Sequence, residues 1–187
     1  DFAILYRTNA QSRAFEEQMR KTAIPYRIYS GLSFYQRKEI KDAIAYMRLV
    51  VNPNDEEALK RVVNYPARGI GNTTMGKIQM AATKAGVSLW EVICNPSFYN
   101  TSIGTATTSK LGAFRSLVTC FKDKAEGEDA FTLTRSLLAE SGMMKDIYEG
   151  KDAEDVARQE NIDEFLNSIM MFVDTRREEQ DSPSVSV

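Results

Sequence analysis

The chain has no histidine among its 187 residues. That absence excludes histidine-based triads, histidine zinc sites and imidazole acid–base chemistry from this stretch. Cysteine is scarce: Cys94 and Cys120 lack the spacing of a metal or redox pair, so reduced thiols in a cytoplasmic protein are expected. No apolar run approaches the roughly 20 residues of a membrane span, and no membrane partner is expected. There is no G-x-x-x-x-G-K-[ST] loop to cradle nucleotide phosphates. An excess of one charge is also lacking, because 24 Lys and Arg face 26 Asp and Glu for a net charge of −2. Any nucleic-acid contact must therefore come from local patches. What is present is a 43% hydrophobic chain, long enough for one large domain or two small ones. It opens at Asp1, directly before an apolar run, and reads as a fragment cut at a domain boundary.

That run, Phe2 to Tyr6, is apolar without alternation, the pattern of a strand buried on both faces. Arg7-Thr8-Asn9 is polar, Asn9 can cap a helix, and Ala10 to Thr22 holds good helix formers. Phe15 and Met19 would be its buried stripe. Pro25 breaks it, and Tyr26 to Tyr29 reads as a second short strand. The expected fold is mainly α with a small parallel β-α-β unit, and two strands cannot form a stable sheet alone. A strand end leading into a helix is where open α/β sheets place ligands. There Tyr6 offers a ring face and Arg7 a planar, permanently charged fork.

The remainder reads as helical. Glu39 to Val51 carries Ile40, Ala43, Ile44, Met47 and Val51 on one face. Asn54 and Glu57 resemble a capping box for a helix through Val63. Arg68-Gly69-Ile70-Gly71 is a tight turn before a helix capped by Asn72 or Thr73, with Met75, Ile78 and Ala82 inward. Ser88 and Glu91 cap a short helix carrying Trp90. Asn95 to Ser109, rich in threonine with Pro96 and Gly104, reads as a loop and a subdomain boundary. Four helices follow: Lys110–Ala125, Phe131–Glu140, Met143–Glu149 and Ala153–Arg176. Val156, Ile162, Phe165, Ile169, Phe172 and Val173 would line the last. Residues 177–187 lose periodicity and are expected to be frayed or disordered. No internal repeat is evident. Arg37 with Glu39 or Asp42 would form a buried network. Phe34 and Tyr35 read as core aromatics more readily than as base contacts.

The Gly69–Gly71 turn lets backbone approach backbone, and the helix after it presents unpaired N–H groups, a site for one phosphate without sequence preference. Arg68, Ile70, Thr73 and Lys77 would complete it. Ser141-Gly142-Met143-Met144-Lys145 is a second glycine turn feeding a helix, with little basic character.

Several long stretches, in order, carry a resemblance. AILYRTNAQSR (Ala3 to Arg13), IPYRIYSGLSFYQRKEIKDAIAYMRLVVNPND (Ile24 to Asp55) and NYPARGIG (Asn64 to Gly71) resemble the UvrD/PcrA/Rep group of superfamily 1 DNA helicases. AESGMMKDIYE (Ala139 to Glu149) and RQENIDEFLNSI (Arg158 to Ile169) continue it more weakly. The resemblance implies an incomplete RecA-like motor half, residues 1–100, and the first part of an inserted helical subdomain, residues 101–187. It implies that Tyr6 stacks on adenine and Arg7 reaches the γ-phosphate of ATP, with the Mg²⁺ ligands outside this stretch. It also implies single-stranded DNA at Arg68, Gly69, Ile70, Gly71, Thr73 and Lys77, and duplex DNA at Gly142 and Lys145. The other partners would be the remaining helicase domains of the same chain. Alone, the fragment would be inactive. The competing reading is a non-enzymatic helical protein-interaction module, suited by the net acidity and the long final helix.

Overall fold

A computed structural model describes residues 2–29 and 31–181. The side chains of Asn9, Gln180 and Asp181 are outside that description, as are residues 182–187. After a 3-10 turn at Asn9–Gln11 come α1 (Ser12–Lys21), a second 3-10 turn at Phe34–Gln36, α2 (Lys38–Val51), α3 (Glu56–Val62) and α4 (Asn72–Ala85). Then follow α5 (Leu89–Cys94), α6 (Thr105–Lys124), α7 (Ala130–Glu140), α8 (Met143–Tyr148) and α9 (Ala153–Asp181). Among the described residues no helix is long and apolar enough to cross a membrane.

Helix is the expected class, but the β-α-β unit is not formed. No strand occurs among the described residues: Phe2–Tyr6 and Tyr26–Tyr29 have no regular secondary structure. Phe2, Leu5 and Tyr29 are exposed. Two strands without further neighbours have too little buried surface to hold a sheet.

The described chain forms two compact units. One holds residues up to Ala43 together with those from Lys145 on; the other is Ile44–Met144. The chain passes between them inside α2 and α8. This division differs from the expected 1–100 and 101–187. The Asn95–Ser109 segment lies wholly within the second unit, where α5 and α6, on either side of it, pack together. It is also shorter as a loop than expected, because α6 starts at Thr105.

In the first unit α1 buries Ser12, Arg13 and Glu16, not the expected Phe15 and Met19. Phe15 is exposed. Asn9 does not occupy the cap position of α1; Gln11 does. α9 packs on the Asn9–Gln11 turn. It buries Asn161, Ile162, Phe165, Leu166 and Ile169, whereas Val156 and Phe172 of the expected stripe are exposed. It also continues past Arg176 into the stretch expected to fray.

The second unit is organised by caps and apolar faces. Asp55, not Asn54, caps α3 through a 3.0 Å bond from Ala58 N–H. Ser88 caps α5 and Asp129 caps α7, each satisfying N–H groups that have no partner within the helix. Gly86 closes α4 in the left-handed conformation, φ 66°. Leu59, Ile70, Ile78, Leu89, Ile93, Leu111, Phe114, Phe121, Leu138 and Met143 form its core.

Candidate functional site

Tyr6 and Arg7 stand in the first unit, on exposed backbone just before the α1 turn. Tyr6 and Arg7 are both exposed, with no hydrogen bond or ion pair on the Arg7 guanidinium among the described residues. Both line an open groove of about 730 Å³. Leu5, Gln11 and Phe15 form one wall; Glu160, Asp163, Glu164 and Asn167 of α9 form the other. Two of those carboxylates are engaged: Glu164 accepts from Arg13 at 2.6 Å, and Asp163 accepts from the Tyr148 hydroxyl. An exposed aromatic ring can stack on a flat ring, and a guanidinium can pair with phosphate oxygens. Among the described residues no group of three or more His, Cys, Asp or Glu could hold a metal ion. Cys94 and Cys120 are free thiols.

A buried polar network lies behind this groove. Arg37 donates to Asn161 Oδ1 at 2.6 Å, and Asn161 in turn donates to Glu39 Oε1 at 2.6 Å. The expected pairing of Arg37 with Glu39 is thus made through Asn161, a residue the sequence did not single out. Asp42 pairs with Lys38 at 3.2 Å. Glu16 accepts from Phe34 N–H at 2.9 Å and from the Ser33 hydroxyl. Phe34 is fully buried, and Tyr35 donates to Glu17 at 2.6 Å. Burial would raise the Glu17 carboxyl, but the Tyr35 hydrogen bond and the Arg13 ion pair outweigh it and hold it below the usual range. Burial and the Glu17 charge push the Tyr35 phenol up to about 12. Phe34, with no exposed surface, is not placed to meet a base.

In the second unit, Arg68 points into the protein. Its guanidinium donates to the carbonyls of Val62 (3.1 Å), Tyr65 (2.8 Å), Pro66 (3.3 Å) and Ser141 (2.8 Å) and to the Tyr46 hydroxyl (2.8 Å). It also lies over the Phe114 ring, 5.4 Å from the centroid. So engaged, Arg68 braces the turn from within, and its expected place as a phosphate ligand is taken by carbonyls. Asn64 Oδ1 accepts from Arg68 N–H and Ile70 N–H at 3.0 and 2.9 Å and fixes the backbone above it. Ile70 is buried, while Gly69, Gly71, Thr73 and Lys77 are exposed. Gly69 takes φ 71°, which a side chain would strain. Gly71 does not: it has φ −83° and open space where a Cβ would stand.

The same unit contains a second turn that reading for repeats missed. Ile103-Gly104-Thr105-Ala106-Thr107-Thr108-Ser109-Lys110-Leu111 repeats the order of Ile70-Gly71-Asn72-Thr73-Thr74-Met75-Gly76-Lys77-Ile78. Both stretches start a helix after glycine, with no side-chain cap and no acid in the first turn. Their lysines interlock: Lys77 donates to Ser102 carbonyl at 2.7 Å, and the Lys110 ammonium lies 2.6 Å from where a Gly69 Cβ would stand. Ser102, at the position equivalent to Gly69, also has a left-handed backbone, φ 52°. The identities at matched Ile, Gly, Thr and Lys were the available signal; the threonine-rich composition of the second copy masked it as loop.

The Ser141–Met144 turn serves packing. Met143 is fully buried, Ser141 carbonyl is held by Arg68, and a Cβ on Gly142 would lie 3.8 Å from Pro66. The structure thus brings the Arg68 and Gly142 turns together, although the sequence reading assigned them to different subdomains. Lys145 is exposed and faces Glu149 at 3.6 Å.

The family model of the UvrD-like helicase C-terminal domain matches residues 1–185. An ATP-dependent DNA helicase PcrA of Leuconostoc citreum is 38% identical over 185 residues, 99% of this chain and 24% of that protein. The PcrA helicase of Bacillus subtilis is 40% identical over 172 residues, 92% of this chain and 23% of its own length. DNA helicase II of Escherichia coli is 34% identical over 170 residues, covering 91% and 24%. The chain therefore spans about a quarter of the length of the curated relatives it matches.

Proposed function

The chain belongs to the UvrD-like helicase C-terminal domain family, and from that premise we propose that it is part of an ATP-dependent DNA helicase. The longer protein would couple ATP hydrolysis to 3′-to-5′ movement along single-stranded DNA and to duplex unwinding. What carries the reading is the match across residues 1–185 together with an exposed Tyr6 and an exposed Arg7 at one groove. Tyr6 would stack on the base. Arg7 would meet the charge that spreads over the γ-phosphoryl oxygens during transfer, the role of an arginine finger. Residues beyond this chain would hold magnesium, which would supply positive charge to offset that of the phosphates. The partition into the start of a second motor domain and a helical insertion belongs to the same proposal, as do the other helicase domains as partners.

DNA would be held through phosphates, without base readout. Gly69, Gly71 and Thr73 precede or open α4, whose first turn has no side-chain cap and no acid, the arrangement that favours an anion. Lys77 and Lys110 add cationic charge at the paired turns. Gly142 supports this surface by packing, and Lys145 contributes at its own exposed position.

The test is steady-state ATP hydrolysis by the full-length protein. Arg7→Ala should lower kcat by roughly 10³-fold or more with little change in KM for ATP, because the finger acts on charge present only in the transition state. Tyr6→Ala should raise KM, since stacking exists in the ground state. An Arg7→Ala enzyme altered only in apparent ATP affinity would refute the assigned roles. The isolated chain should neither hydrolyse ATP nor unwind DNA; DNA-stimulated hydrolysis that copurifies with it would count against the partition.

A further inference from the structure

We propose that Gln11 is the positioning residue of the Arg7 finger, an inference that rests on the Arg7 role just described. Gln11 occupies the cap position of α1, yet its side chain makes no bond to its own helix. The side chain turns back instead. Its amide oxygen accepts from Arg7 N–H at 2.9 Å and from Thr8 N–H at 3.2 Å. Its own N–H donates to Thr8 carbonyl at 3.2 Å. One residue thereby closes the segment with three bonds.

The segment needs that closure. Among the described residues Phe2–Tyr6 pairs with no strand, and the N–H groups of Arg7 and Thr8 donate to the Gln11 side chain. The Arg7 guanidinium has no anchor of its own there. Its position over the groove is set by its backbone, and the Arg7 backbone is set by Gln11. Gln11 is itself fixed, because the residues after it, Ser12 and Arg13, are buried, and Arg13 is tied to Glu164 and Glu17 at 2.6 and 2.7 Å. The buried ionic network of this unit thus supports the finger through a single amide oxygen. Stacking by Tyr6 tolerates small displacements, because a ring face is broad. A guanidinium matched to developing charge does not. Loss of the Gln11 oxygen should therefore affect turnover and leave nucleotide affinity almost unchanged.

The experiment compares Gln11→Met, Gln11→Glu and Arg7→Ala in the full-length protein. Gln11→Met keeps the length of the side chain and removes the acceptor; Gln11→Glu keeps an acceptor oxygen. Gln11→Met should lower kcat about ten-fold with KM for ATP within about two-fold, and Gln11→Glu should stay within about three-fold of the parent. The affinity for ADP with aluminium fluoride, which mimics the transferring group, should fall with kcat, whereas that for ADP alone should not. The thermal midpoint should be unchanged. Parent-like turnover in Gln11→Met beside an inactive Arg7→Ala overturns the Gln11 role and leaves the finger standing. Equal losses in Gln11→Met and Gln11→Glu, with a lowered midpoint, also overturn it, in favour of a purely structural part. Parent-like turnover in Arg7→Ala overturns the finger on which the inference rests.

Discussion

The two compact units are stabilised by different chemistry. In the first, Arg13, Glu16, Arg37, Glu39, Asp42 and Asn161 are all buried, and charge is satisfied inside the unit by hydrogen-bonded partners. In the second, the buried polar residues are Thr101, Thr134 and Ser141, surrounded by aliphatic and aromatic side chains. Its main cation, Arg68, is answered by neutral carbonyls, not by a carboxylate. The difference teaches where each unit is vulnerable. An ionic interior depends on every partner being present, because an orphaned charge bears its full desolvation cost. An apolar interior depends on volume.

The largest expected effect is a paired one. Phe114→Ala in the second unit should cost about 4 kcal/mol through the cavity it leaves. Asn161→Leu in the first should cost about 3 kcal/mol, because it removes the buried bonds that Asn161 makes to Arg37 and Glu39 while conserving bulk. Hydrogen exchange resolved by segment separates them. Phe114→Ala should speed exchange in α4 to α7, and Asn161→Leu in α1 and α9. If Asn161→Leu proved neutral, the ionic account of the first unit would be lost.

A smaller effect comes from pH. The Glu17 carboxyl sits below its ordinary value of 4.5 in the folded chain. Its contribution is thus present above that pH and is lost as pH falls through the folded value. Tyr35 moves the other way, from 10.0 to about 12. Its contribution is complete below pH 10 and declines between there and about 12, where the unfolded chain releases the proton first. Thermal midpoints across pH should therefore drop at both ends, with the loss in α1 and the Phe34–Gln36 turn. Tyr35→Phe should lessen both arms, while Arg13 still holds Glu17 low and Tyr148, raised by burial and Asp163, still adds to the alkaline one. Unchanged arms in that variant would show that the Tyr35–Glu17 pair is not their source.

The smallest effect on folding should come from Gly71→Val, under about 1 kcal/mol, since its backbone suits any residue and its Cβ would meet nothing. The same change should weaken single-stranded DNA binding by the full-length protein, similarly for different base sequences, by blocking the approach of a phosphate. Unaltered binding would remove the phosphate role from this turn and leave the second unit with packing alone. Gly69→Val is the less informative choice, because its φ of 71° brings strain regardless of DNA.

The sequence by itself determined the helical segments, several of their ends and the family. Apolar spacing places α2 and most of α6, although Val51 of the face read for α2 is exposed and Leu49 and Val50 are buried instead; Ser88 caps α5, and Gly86 ends α4, because these effects act within a few residues. The apolar unit was legible for the same reason. Tertiary structure alone decided the rest. α1 turns its charged side inward because Arg13 finds Glu164, 151 residues away, and Arg37 finds Asn161, 124 residues away. Arg68, read as a free cation at a glycine turn, is drawn inward by carbonyls that converge only when Tyr65 and Ser141 are brought together. The segments Phe2–Tyr6 and Tyr26–Tyr29 have strand-like residues, but a strand exists only when a neighbour completes its ladder. Local periodicity reports which side chains avoid water; it carries no information on which distant group will satisfy a buried charge.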